Sequence, residues 1–148
     1  MSQGNTGVEL DTSLGYLLKQ AASALRTALD AVLRPLGMTV PQYACLELLA
    51  QRPGMSSSEL ARGAFVSRQS MNVLLQSLER DGLVSRPDQP PTGRVLPTQL
   101  TPVGRRRLDA ATTAVRAVEL QMLADLGSTE QEQLRSLLAA CAASLTPS

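Results

Sequence analysis

Between Ser67 and Arg80 the chain sets amide, hydroxyl and guanidinium side chains at a spacing suited to reading a surface rather than to breaking a bond. Coiled as a helix, the segment puts Met71, Leu74, Leu75 and Leu78 on one face and Gln69, Asn72, Val73, Gln76 and Arg80 on the other. Gln and Asn amides can pair with two groups on an adenine edge, Arg can fork onto guanine, and Val73 can meet a thymine methyl. Ser67, Arg68 and Ser70 fall in the first turn, where the helix dipole adds to the attraction of phosphate. A merely solvated polar face is the alternative for such a stripe, and the motifs around it favour recognition.

Arg94, beside Gly93 at a turn-rich tip, is placed to enter a minor groove, whose negative potential attracts Arg; Arg86 precedes the same tip. A solvated tip is the alternative for Arg94. Arg105, Arg106 and Arg107 point three ways from one helical turn, which suits a mixture of phosphate contacts and pairing with acids. The sequence contains no His, so Ser-His-Asp and Cys-His sites are excluded and the commonest metal ligand is missing. Cys45 and Cys141 form no CxxC pair, and the sequence shows no phosphate-binding Gly loop and no paired carboxylates in a plausible site. The expectation is a protein that is not an enzyme, with no cofactor and no metal.

At 148 residues the chain is long enough for one domain with a real core. Tyr16, Tyr43 and Phe65 are its only aromatic residues, so Leu, Val, Ala and Met must fill the interior, a palette suited to packed helices. The net charge of +1 hides a segregation. From Arg52 to Arg107 nine Arg face four acids, a net of +5, while the rest of the chain carries −4. A basic middle between acidic flanks fits a nucleic-acid reader carried on a different kind of scaffold. The start, MSQGNTGVELD, has neither a basic n-region nor an apolar h-region, and no uncharged apolar run reaches membrane-spanning length. A cytoplasmic protein with reduced thiols and no membrane partner is expected.

The elements that must position these residues are marked by their ends. Apolar residues from Leu14 to Leu36 recur at helical spacing until Pro35 and Gly37 close the helix. Thr39 to Gln42 forms a capping box for a second helix, stopped by Arg52-Pro-Gly. A second box, Ser56 to Glu59, opens a short helix to about Arg62, followed by a turn at Gly63-Ala-Phe-Val. Ser67 then caps the helix that runs to about Asp81, with Gly82 where a left-handed C-cap belongs. Two helices joined by a short Gly-containing turn have the helix-turn-helix layout.

Leu83–Pro87 and Val95–Leu100 flank a Gly- and Pro-rich tip and predict a hairpin, with Pro97 on an edge. Thr101 and Pro102 start a fifth helix expected to reach Leu126, and Ser128 to Gln131 caps a sixth. The predicted fold is mainly α with a small β-hairpin wing, in the order α-α-α-α-β-β-α-α.

This order, with Leu36-Gly-Met-Thr-Val-Pro-Gln-Tyr-Ala-Cys-Leu-Glu-Leu-Leu49, Ser58-Glu-Leu-Ala61, Val66-Ser-Arg-Gln-Ser-Met-Asn72, Leu78-Glu-Arg-Asp-Gly-Leu-Val84 and Leu100-Thr-Pro-Val-Gly-Arg105, resembles the MarR family of bacterial winged helix-turn-helix transcription regulators. Each fragment alone is a weak match; together they span almost the whole chain.

The resemblance implies a single MarR-like domain over 1–148, with a reader at 39–101 and dimerisation helices at 11–36 and 102–146. It implies a homodimer on a pseudo-palindromic double-stranded operator, acting as a ligand-responsive repressor or activator with a pocket between the two halves, the repressor being favoured and the effector a small aromatic or amphipathic molecule. Tyr16, Gln20, Met38 and Tyr43 are candidate effector walls, with plain core packing as the alternative for each. The stripe of Leu134, Leu138, Cys141 and Leu145, which could be intramolecular core, becomes a dimer interface. Many family members carry an acid just before the wing arginine; here Gly93 stands there and the nearest acid is Asp88. Two other functions stay open: a thiol-based redox sensor of the same fold, although Cys45 is not near the N-terminus as in sensing relatives, and a winged helix used for protein assembly.

Overall fold

In the computed structural model, which describes residues 7–86 and 97–147, each boundary follows from a local cap. Ser13 accepts the Tyr16 N–H and opens α1, Leu14–Leu33, which tightens into a 3-10 turn at Arg34–Leu36 and ends on Gly37 at φ 70°. Thr39 and Gln42 close the expected capping box on α2, Val40–Gln51, and Ser56 and Glu59 close the other on α3, Ser57–Ala64. Ser67 caps α4, Arg68–Arg80, and Gly82 takes its left-handed position at φ 76°. The ribbon β1, Val84–Ser85, and β2, Gln99–Leu100, leads to α5, Pro102–Met122, capped by Thr101, and then to α6, Ser128–Leu145.

The core lies where α1 to α5 meet the base of the ribbon. Leu33, Leu46, Leu60, Met71, Leu75, Leu78 and Leu108 are fully enclosed there, and Val84 and Ala111 seal its edges. The antiparallel register pairs Val84 with Leu100 and Ser85 with Gln99. Thr98 N–H donates to the Met55 carbonyl at 3.4 Å, which lays the loop between α2 and α3 along the second strand.

Gly104 explains how α5 can start so close to the ribbon: a Cβ there would sit 2.1 Å from the Leu83 carbonyl oxygen. Thr101 fastens the same junction. Its N–H donates to Leu83 O at 3.1 Å and its hydroxyl donates to Gly82 O at 2.6 Å.

Three expected boundaries are corrected. The third helix runs on to Ala64 rather than about Arg62, so the turn expected over Gly63-Ala-Phe-Val is confined to its second half: Gly63 stays helical with Leu48 side-chain atoms 3.0 Å from where its Cβ would be, and Phe65 turns the chain. The fifth helix ends at Met122 rather than Leu126, because the Gln131 amide Nε2 donates to the Leu126 carbonyl at 3.0 Å and fixes a turn. The cap of α6 is Gly127 rather than Ser128, with Glu130 accepting the Gly127 N–H at 2.9 Å.

α6 has no buried residue, and the first half of α1 is equally open. Leu14, Leu18, Leu137, Leu138 and Leu145 stand exposed on these two helices, Leu145 at 86%. The stripe of α6 is therefore not core within its own chain.

Candidate nucleic-acid interface

The reading helix is fixed from behind. Met71, Leu75 and Leu78 are fully buried and Leu74 is half-buried against the core, so rotation of α4 about its axis would expose them. At about 0.8 kcal/mol for each buried methylene, that orientation is strongly held. Arg68, Gln69, Ser70, Asn72, Val73, Gln76 and Arg80 all face solvent on the opposite side. Seven of the nine expected DNA-contacting residues thus lie along α4 or at its cap, on one continuous exposed strip.

At the N-terminal end of that strip, Ser67 Oγ accepts the Ser70 N–H at 3.0 Å and donates to Ser70 Oγ at 2.9 Å. The two hydroxyls stiffen the first turn, whose leading backbone N–H groups have no partner within the helix. Arg86 stands at the end of the ribbon with Glu79 at 3.4 Å, a pair that carries its guanidinium alongside the last turn of α4. Arg94, with its neighbours Asp88 and Gly93, lies outside the described residues.

Phe65 falls within the expected turn, but its role there is not marked by the sequence. It terminates α3 in the left-handed region at φ 60°, ψ 39°, and it is 93% exposed. For a bulky residue that backbone costs about 1–2 kcal/mol.

The four candidate effector walls do not share one cavity. Tyr16 and Gln20 line a groove of about 450 Å³ on the outer face of α1 with Lys19 and Ser23. Met38 is buried in the core, and Tyr43 is half-buried with its hydroxyl donating to Glu47 at 2.8 Å. A different groove, about 520 Å³, runs between α1, the start of α2 and α4. Pro41, Val66, Val73 and Leu74 give it apolar walls, with Arg26, Ser70 and Ser77 at its polar edges. Three separate elements build it, so no periodicity within one helix could have shown it.

Glu47 joins α2 to α5. It accepts from Tyr43 Oη, from Gln51 Nε2 at 2.9 Å and from Thr112 Oγ1 at 3.1 Å. Burial works to raise its pKa, but these bonds and the Arg105 charge outweigh that and hold it below the ordinary value. Burial, and then the bond to Glu47, pushes the Tyr43 phenol up to about 12. Cys45 is fully enclosed and burial pushes its thiol up to about 12, while Cys141 is exposed on α6.

A helix-turn-helix with its apolar side buried and its polar side presented, followed by a ribbon, defines a DNA-binding winged helix. A model described as the MarR family matches residues 36–95. Over 89% of its length the chain is 43% identical to the HTH-type transcriptional repressor Rv2887 of Mycobacterium tuberculosis, covering 95% of that protein. The chain belongs to the MarR family of transcription regulators.

Solved structures agree. Rv2887 in complex with salicylic acid superposes with a TM-score of 0.73 at 43% identity, over 88% of this chain and 97% of that one. Its complex with DNA gives 0.74 at 41%, over 88% and 98%. The repressor CouR bound to a 23-mer DNA duplex, a protein described from Rhodococcus jostii RHA1, gives 0.82 at 31%, over 95% and 99%. Among the described residues, no helix is long and apolar enough to cross a membrane.

Proposed function

We propose that the chain is a cytoplasmic, ligand-responsive transcriptional repressor that binds a pseudo-palindromic DNA operator as a homodimer and catalyses no reaction. The observation that carries this reading is the strip on α4: Arg68, Gln69, Asn72, Val73 and Gln76 exposed together while Met71, Leu75 and Leu78 lock the helix from behind. Ser67, Arg68 and Ser70 hold phosphate at the helix start, Gln69, Asn72, Val73 and Gln76 read base edges, and Arg86 and Arg94 contact backbone and minor groove.

The reader comprises residues 39–101, and 11–36 with 102–146 hold two copies together. Support for the second copy is the unpartnered apolar surface of α1 and α6, including Leu134, Leu138, Cys141 and Leu145, which is too extensive to leave in water. Two-fold symmetry then places equal readers about 34–36 Å apart, one helical turn of DNA.

The effector is a small aromatic acid. The groove against α4 has the size and mixed lining of a small-ligand site, with Arg26 to meet a carboxylate. The relative crystallised with salicylic acid supports that class. The Tyr16 and Gln20 groove is the second place for it, while Met38 is buried in the core and Tyr43 is tied to Glu47.

The test is duplex binding followed by fluorescence anisotropy, with sedimentation of the same sample. Affinity should fall steeply with salt, and the protein should sediment as a dimer at micromolar concentration. Leu138→Glu buries an unpaired carboxylate at the interface and should give monomeric or unfolded protein without operator affinity. A folded monomer that bound the operator tightly would refute the dimer.

A further inference from the structure

We propose that Phe65 is a DNA-contacting residue that rests its ring on the sugars of the groove wall beside the entry of the reading helix. This rests on the DNA-binding reading above. Phe65 is the only phenylalanine of the chain, and it is not used in the core: 93% of it faces solvent. It is also the only non-glycine residue at positive φ among the described residues, at φ 60°. Glycine would serve that turn without strain and without an exposed ring. Strain that the fold does not require is expected where a side chain must be presented.

The position says what the ring meets. Phe65 lies two residues before the Ser67 cap, at the end of α4 whose first turn enters the groove. A major groove about 12 Å wide admits a helix of about 10–12 Å with its side chains and little else. The turn that delivers the helix must therefore pass the sugar-phosphate wall. Phe65 carries no charge and no hydrogen-bonding group, so phosphate is not its partner; the apolar faces of the deoxyribose are. Neighbouring Arg68, exposed on the first turn of α4, provides the phosphate contact that brings wall and ring together.

The contact has three consequences. It contributes to affinity without choosing sequence, it releases no counterions, and it costs the free protein stability. The experiment compares wild type with Phe65→Gly, Phe65→Asn and Phe65→Tyr, measuring anisotropy on operator and random duplex at several salt concentrations, and thermal unfolding. Glycine and asparagine tolerate the left-handed backbone, so both variants should fold, with Tm at or above wild type. Each should weaken binding on both duplexes by about tenfold for every subunit engaged, the effect of covering about half of a phenylalanine side chain. The slope of log affinity against log salt should not change, and Phe65→Tyr should bind like wild type.

Wild-type affinity in Phe65→Gly overturns the assignment. So does a loss confined to the operator duplex, which would mean a base contact, or a loss that travels with a lowered Tm, which would mean a structural role. Failure of the wild-type protein itself to bind duplex would instead overturn the DNA-binding reading, so the two failures are distinct.

Discussion

Gly104→Ala is the substitution on which local propensity and packing geometry give opposite signs. In a helix, alanine is better than glycine by up to about 1 kcal/mol, so propensity alone makes the variant more stable. The geometry says otherwise. The new Cβ would lie 2.1 Å from the Leu83 carbonyl oxygen, with Leu100 Cδ1 at 2.8 Å. The leucine methyl can rotate away, but the carbonyl is backbone. A relaxed carbon–oxygen contact needs about 3.3 Å, so the start of α5 must retreat by about 1.2 Å.

That retreat pulls on both Thr101 bonds, to Leu83 O at 3.1 Å and to Gly82 O at 2.6 Å. Each is worth about 0.5–1.5 kcal/mol, and overpacking adds about 1–3 kcal/mol. Less the propensity gain, the balance is a loss of about 3 kcal/mol. In a chain of this length each kcal/mol moves Tm by about 2–4 °C, so Tm should fall by about 6–12 °C. Circular dichroism melts at one fixed protein concentration measure it, because a dimer's Tm depends on concentration. Anisotropy at 20 °C should also show weaker operator binding, since the base of the ribbon is fastened to α5 at this junction. A variant melting at or above wild type would refute the packing argument and leave propensity in charge.

On the reading helix, Gln69→Ala or Asn72→Ala should cost about 1–3 kcal/mol on the operator and relax base preference. Arg94→Ala should weaken binding evenly across sequences, apart from a preference for narrow A·T minor grooves; equal losses by both classes on operator and random duplex would remove the division of roles. Cys45, enclosed and with its thiol pushed up to about 12, should resist iodoacetamide at pH 8 until the protein is unfolded; rapid labelling of the native protein, located by mass spectrometry, would contradict its burial. Glu47 has a lowered folded pKa, so its contribution is complete above the unfolded value of about 4.3 and fades as pH falls through the folded one. Urea midpoints from pH 7 to 3 should therefore show Glu47→Gln less stable at neutral pH, with a shallower acid limb than wild type.

The parts of this fold that were legible in the sequence are those fixed within about four residues. Thr39 with Gln42, Ser56 with Glu59, and Thr101 with Pro102 mark helix starts because the bonds that cap them are local, and all three caps form. Gly82 was legible for the same reason. The start of the turn after α3 is set too early because a glycine suits a turn, whereas Gly63 is helical and admits Leu48 against α3; that is a contact between elements, invisible along the chain. Gln131 misled likewise, since its amide serves the preceding carbonyls rather than the cap of its own helix. The apolar stripe of α6 is plain in the sequence, but its own chain does not cover it. The groove against α4 is assembled from α1, α2 and α4, and only their packing brings Arg26 to Val73 and Ser77.

In the proposed dimer, α5 is the element through which the two halves must communicate. Its first turn holds the ribbon through Thr101 and Gly104, its middle meets α2 through Thr112 and Glu47, and its later turns pack through Val115 and Val118. Its 21 residues make a rod about 30 Å long. A tilt of about 5° at the dimerisation end would therefore carry the reading end through nearly 3 Å. Half-sites are spaced by the DNA at about 34–36 Å, and side chains read base edges over hydrogen-bond distances of about 3 Å. A displacement of that size in each subunit is enough to take Gln69 and Asn72 out of register with their bases. An effector that wedges against α4, or that moves α1 against α5, need not unfold or reshape the reader to release DNA. It has only to favour a slightly different angle of one rigid helix.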